Sequence, residues 1–406
     1  MSIQILIKMG AKELVKAAEK IGCCVMDGIR VDIMPKMEGM DANPISFTAS
    51  DKVTQVTTIG YCEAPAVSEP LSFFVDKAFV SVVTSLGVTS DCDFELCYME
   101  DRLAIKLGSS VVPVGVVGEA TLIEQQNVAE NSLCALSFDT EEFVASVKKG
   151  AHAYSPAGCR LEALSNMVAF LPLEGKVRVI SANEGGNLVV MKDMAPKSGD
   201  DSLSAQAAEG KVWLFNATFL TRILPFLEDE TTEVYIMESQ YLIRNGSSYY
   251  LFVPGNAAKF PVQWVHNVYG ADQEREFSFS VSNRGLKDAI MVAALNPSPM
   301  ESKDSTHCEV VFEEGRISVT NYSGANITVL AAEGEGEVDM AFISAALKRL
   351  LSCMGDTVTF SGMGASSGVY VKEDGDTSFK ALIMPQYTRA VAEASQENED
   401  SEDSEE

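Results

Sequence analysis

Three histidines, His152, His266 and His307, are all that the chain offers for proton transfer near neutral pH. None belongs to an H-E-x-x-H pair, and neither a G-x-S-x-G elbow nor a glycine-rich loop ending in Gly-Lys-Ser/Thr occurs. The stretch Gly362-Met363-Gly364-Ala365-Ser366-Ser367-Gly368 falls between two strand patterns, not between a strand and a helix, so it reads as a hairpin loop. Nine cysteines (Cys23, Cys24, Cys62, Cys92, Cys97, Cys134, Cys159, Cys308 and Cys353) are scattered without a C-x-x-C pair. Their odd number argues against a disulfide framework, and they read as buried thiols. The residues therefore predict a non-enzyme with no catalytic residue, metal or cofactor.

Charge is the more informative chemistry. Lys12, Lys16 and Lys20 recur at i, i+4 and i+8 of an amphipathic pattern, with Leu14, Val15, Ala18 and Ile21 on other faces, which predicts one basic stripe on a helix. Set against it are 58 acidic and 31 basic residues, a formal charge of −27 that normally repels nucleic acid. The last stretch, Ala390 to Glu406, holds eight acids and no base and reads as a disordered solubilising tail. Most of the negative charge still lies on the body.

At 406 residues the chain is long enough for two to four domains, and 46% hydrophobic with 22% charged residues is the composition of a folded protein. No apolar run approaches the roughly 20 residues of a membrane-spanning helix, and the start lacks a signal-peptide layout, so a cytoplasmic protein without a membrane partner is expected.

The elements that carry these residues repeat. Phe74-Val75-Asp76-Lys77-Ala78-Phe79, Leu214-Phe215-Asn216-Ala217-Thr218-Phe219 and Glu337-Val338-Asp339-Met340-Ala341-Phe342 share an apolar residue, Asp or Asn, a free position, Ala or Thr, and Phe. The Asp or Asn sits where a helix N-cap belongs. An amphipathic helix follows in each copy, Val80 to Leu86, Leu220 to Leu227 and Ile343 to Met354. Hairpin strands then begin near Phe94, Val234 and Val358, at the same offset from the Phe to within one residue. A preceding helix also recurs, at Gly10 to Ile21, Asp139 to Tyr154 and Asn283 to Leu295, with Leu14, Phe143 and Leu286 as matching apolar positions. Paired strands follow it: Ile29 to Ile33 with Ile45 to Ala49, Met167 to Leu171 with Val177 to Ser181, and Cys308 to Phe312 with Arg316 to Thr320. The fold class is α+β, three tandem copies of one unit with two helices and small antiparallel sheets, over residues 1–125, 126–272 and 273–389, with the tail at 390–406.

Such a chain resembles the bacterial sliding clamp, the beta subunit of DNA polymerase III, over nearly its whole body. The most specific match is Ala381-Leu382-Ile383-Met384-Pro385-Gln386-Tyr387, an apolar strand running into Met-Pro near the chain end. Gly255-Asn256-Ala257-Ala258-Lys259-Phe260-Pro261 is similar to the family's Gly-to-Phe-Pro turn. Ser181-Ala182-Asn183-Glu184-Gly185-Gly186-Asn187-Leu188 departs from the family's Asp-Gly-His-Arg-Leu-like stretch, keeping Leu188, and the acidic tail runs on beyond the usual end.

The resemblance implies a homodimer closed head to tail into a ring, with helices lining the hole and sheets outside. Bases can then face double-stranded DNA while acids lie outside. It makes DNA-facing residues of Lys12, Lys16, Lys20, Lys148, Lys149, Arg222, Arg284, Lys287, Lys348 and Arg349. It also implies a partner-peptide pocket of Leu188, Val268, Ser367, Leu382, Met384 and Pro385, with Tyr387, and DNA polymerase and a clamp loader as partners. The function expected is a replication processivity factor; the alternative is an acidic clamp-fold interaction or structural protein that does not encircle DNA. Three units per chain favour a dimer over a trimer of two-unit chains.

Overall fold

The structure, a computed structural model, describes residues 5–24, 27–87, 93–99, 102–270, 275–295, 306–321, 324, 326–364 and 367–386. Three helices of 11 residues each, Ala11–Ile21, Thr140–Gly150 and Asn283–Ala293, carry the recurrence. Positions four, seven, eight and eleven are buried in all of them: Leu14, Ala17, Ala18 and Ile21; Phe143, Ser146, Val147 and Gly150; Leu286, Ala289, Ile290 and Ala293. This i, i+3, i+4, i+7 face is what a helix lays on a sheet.

The second helices of the repeat are Ala78–Gly87, Ala217–Ile223 and Ser344–Ser352, each entered from a strand: Leu71–Asp76, Trp213–Asn216 and Val338–Ile343. Asp76 behaves as the sequence predicts, its Oδ1 accepting the Ala78 amide at 2.7 Å. Asp339 does not. It is the second residue of its strand, and the helix after it starts at Ser344 with no side-chain cap. Phe342 is accordingly a buried strand residue, whereas Phe79 and Phe219 lie in first helical turns. An apolar-Asp-apolar-Ala-Phe run satisfies strand alternation as well as a cap, and here Val338, Met340 and Phe342 take one face of the strand.

The predicted strand pairs form, and the structure adds their register. Ile29 faces Ala49, Phe170 faces Val179, and Cys308 faces Asn321. Phe94–Met99 pairs with Arg102–Leu107, Thr231–Ile236 with Tyr241–Asn245, and Thr357–Gly362 with Val369–Glu373, which leaves the glycine-rich stretch as the loop of the last hairpin.

The chain divides into two compact units, one of Met1–Val144, Pro196–Gln206 and Thr218–Gly255, the other of Ala145–Ala195, Ala207–Ala217 and Asn256–Glu406. The first holds an antiparallel sheet of 12 strands in which Thr54–Cys62 pairs with Ser248–Phe252, so that strands from two copies of the repeat share one ladder. In the second, a sheet of 9 strands is built the same way, Leu188–Met194 pairing with Phe379–Ile383, and a separate sheet of 4 strands ends at Thr328–Ala331. Stacked rings centre the second unit's core: Phe279 lies 4.9 Å from Phe312 and 5.1 Å from Phe360. Each such pair is worth about 0.5–1.5 kcal/mol beyond its buried area.

Among the strand edges that stay open in the described residues are Ser110–Val117 and Thr328–Ala331. Ser110–Val117 pairs with Arg102–Leu107 along residues 110–115 and reaches Leu71–Asp76 only through Val116 and Val117. Thr328–Ala331 pairs only with Arg316–Asn321. Cys23, Cys24, Cys62, Cys134 and Cys308 are buried as expected, while Cys97, Cys159 and Cys353 are half-buried and Cys92 lies outside the described residues. Burial pushes the Cys24 and Cys62 thiols up to about 12, which keeps them protonated and inert. Among the described residues no helix is long and apolar enough to cross a membrane.

Candidate nucleic-acid interface and partner groove

Of the ten cations expected to face DNA, Lys12, Lys16, Lys148, Arg222 and Arg284 are exposed on their helices, and Lys287 and Lys348 are half-buried. Lys16 pairs with Glu228 across an exposed surface, where an ion pair is worth no more than about 1 kcal/mol and a phosphate can displace the carboxylate.

The other three are committed inside the fold. Lys20 is 8% exposed, and its Nζ donates to the Ser248 hydroxyl at 2.9 Å. Burial lowers its pKa, with Glu228 pulling the other way. A spacing of i, i+4, i+8 drifts by about 40° per step on a helix of about 3.6 residues per turn, so the third lysine has rotated off the exposed face. Lys149 bonds Glu373 and, at 2.9 Å, Asp376, and its ammonium stands 4.5 Å from the centre of the Phe379 ring. Burial works against its charge, but the two carboxylates outweigh it and raise the pKa. Lys192 reaches the same Asp376 at 2.7 Å. Burial pushes the Asp376 carboxyl up, yet its bonds to Lys192, Ser378 and Lys149 hold it far below the usual carboxylate range. Arg349 donates through Nε to the His152 carbonyl at 2.9 Å and through Nη2 to the Tyr154 carbonyl, satisfying backbone just past the helix Thr140–Gly150. In return, His152 Nε2 lies 2.7 Å from the Arg349 carbonyl.

The groove residues separate by strand face. Leu188 stands opposite Ile383 and Val189 opposite Leu382. Successive residues alternate faces, so Leu188 points with Ile383 into the core around Phe277 and Phe279 and is fully buried. It is not part of an accessible wall. Its neighbour Val189, which the sequence reading missed, belongs to the apolar cluster with Phe260 and Val265, against which Val268 packs. Leu382 and Met384 lie together over Gly368: a Cβ there would meet Leu382 Cδ1 at 2.6 Å and Met384 Sδ at 3.2 Å. Met384 is 38% exposed and Pro385 half-buried, and the Met384 amide donates to the Asn187 carbonyl at 2.8 Å, prolonging the ladder. The Ser367 hydroxyl is spent on its own loop, donating to the Gly364 carbonyl at 3.0 Å. Tyr387 and the acidic tail lie outside the described residues.

Val268 rides on a helix, Val262–Gly270, for which the sequence reading gave no element. A short helical turn capped by Asn256, whose Oδ1 accepts the Ala258 amide at 3.1 Å, leads to it through Phe260 and Pro261. Pro261 just before the first helical residue and the apolar Val262, Val265 and Val268 were the available signal. The helix bears no Asp, Glu, Lys or Arg and exposes Trp264, which adds an aromatic surface to this side.

The architecture is that of the bacterial beta sliding clamps. A clamp from C. crescentus superimposes with a TM-score of 0.75 at 16% identity, covering 95% of this chain and 100% of that one. The beta subunit of DNA polymerase III from Thermotoga maritima gives 0.75 at 15% identity over 94% of this chain and 99% of its own. A Pseudomonas aeruginosa clamp bound to griselimycin gives 0.77 at 13% over 95% and 100%. No family model and no curated protein matches the sequence. At these identities the likeness establishes the fold.

Proposed function

We propose that the chain is a DNA sliding clamp, a non-catalytic processivity factor that encircles duplex DNA and tethers a polymerase. The observation that carries this reading is a clamp fold matched end to end at 94–95% of the chain, in which helices of all three copies keep exposed cations despite a net charge of −27. Such cations contact phosphates without reading sequence, and a ring needs little affinity because topology retains the duplex. The three copies, 1–125, 126–272 and 273–389, act as its domains.

A homodimer supplies the ring. Open edges at 110–115 and Thr328–Ala331 belong to the first and third copies, and a second chain would complete both ladders, removing edges that otherwise invite uncontrolled pairing. Partners, among them the polymerase and a loader, would insert a short peptide on the side lined by Val268, Leu382, Met384 and Pro385. Met384 suits varied ligands because a thioether side chain is flexible and polarizable. The site of action is the cytoplasm, on DNA.

With a matching loader and polymerase on a primed circular template, the protein is expected to lengthen the products made in a single binding event. Unchanged product length would favour an acidic clamp-fold protein that does not encircle DNA.

A further inference from the structure

The internal repeat shows how one copy is fastened to the next. In the first unit, the fourth strand of the first copy, Thr54–Cys62, pairs with the last strand of the second copy, Ser248–Phe252. In the second unit, the fourth strand of the second copy, Leu188–Met194, pairs with the last strand of the third, Phe379–Ile383. Each junction also carries a lysine from the tenth residue of the 11-residue helix. Lys20 reaches Ser248 at the next copy's hairpin, and Lys149 reaches Glu373 and Asp376 at the hairpin after that.

Continuing the series, the fourth strand of the third copy is Thr328–Ala331, and the last strand of the first copy is Ser110–Val117. Both have an open edge. The tenth residue of the third helix is Val292, not lysine, and it is 40% exposed. The hairpin turn that it would meet, Gly108 and Ser109, has no carboxylate. Neither edge strand, Ser-Val-Val-Pro-Val-Gly-Val-Val or Thr-Val-Leu-Ala, contains a charged residue. Both display large apolar side chains, with Val111 59% and Val329 56% exposed and Met291 and Leu295 exposed beside Val292. On that helix Arg284, Lys287 and Asp288 fall in the first six positions, and Ala289 to Leu295 is uncharged.

We infer that in the dimer these two edges meet in a charge-free apolar seam without the lysine clasp of the internal junctions, so that added salt tightens the association. The inference rests on the dimeric ring proposed above. Its sign follows from two opposing facts. An apolar seam has no ion pairs for salt to screen, whereas two chains of −27 each repel one another through solvent, and that repulsion is screened over about 10 Å at 0.1 M salt.

Sedimentation of the full chain over a dilution series, at about 0.05 M and about 0.5 M NaCl, reads this directly. The expected result is a monomer–dimer equilibrium whose Kd falls several-fold at the higher salt. Val111→Asp and Val329→Asp, at sites exposed in the single chain, should each give a monomer with unchanged thermal unfolding. A dimer that weakens with salt, or one indifferent to both substitutions, would overturn the inference and leave the ring intact. A wild-type chain that stays monomeric at every concentration and salt would instead remove the ring reading itself.

Discussion

Residue by residue, the structure sorts cations that look alike in sequence. Lys12 and Lys16 stay exposed; Lys20, eight residues on, is buried against Ser248 because the helix has turned. Lys148 is exposed while its neighbour Lys149 enters an ion network with Glu373 and Asp376. Helix rotation accounts for Lys20, but what holds Lys20 and Lys149 in place is the hairpin of another copy, distant in the chain, which spacing does not reveal. The two groups should respond differently to substitution. Lys12→Glu or Arg284→Glu should weaken DNA association and lower its salt dependence by about one unit of slope, with unfolding unchanged. Asp376→Asn should leave DNA association alone and cost about 2–3 kcal/mol of stability at neutral pH, because two ammonium groups lose a charged acceptor. The folded-state pKa of Asp376 is depressed, so its contribution is complete above the unfolded value of about 3.9 and is lost as pH falls from there towards the folded one. Denaturation of wild type and variant should therefore differ at pH 7 and converge in acid. A constant difference across that range would contradict the role of the charge.

Elements were legible where periodicity alone determines them. The hairpins and the 11-residue helices follow from alternation and from the four-position apolar face, and both form as the pattern predicts. The third-copy cap at Asp339 was misplaced because its residues satisfy a strand equally well, and the structure extends the strand to Ile343. Leu188 was expected in the groove from the family resemblance, which does not say which face of the strand it takes here. A one-residue choice of register exchanges the two faces of a strand, and only its pairing with Ile383 fixes which face meets the core. The proposed groove therefore keeps Val268, Leu382, Met384 and Pro385, with the buried Val189 opposite Leu382. Met384→Ala, at an exposed position just past the strand end, should cost a partner peptide about 2 kcal/mol, read by calorimetric titration, with little change in stability. Leu188→Ala should do the reverse, lowering stability by about 2–5 kcal/mol through a core cavity.

For the molecule as a whole, sequence identities of 12–16% accompany a fold matched over 94–95% of the chain. What persists at that distance is the fold, which in this chain rests on buried helix faces and paired strands and carries a few exposed bases on an acidic body. The −27 charge is consistent with a sliding device, since a body that repels DNA limits binding in the wrong place while a few phosphate contacts steady the duplex. Retention must then come from topology. The most direct measurement is the lifetime of loaded protein on a closed circular duplex before and after one restriction cut. The proposed ring predicts long retention on the circle and rapid loss once ends are available. Equal lifetimes on circular and linear DNA would contradict it.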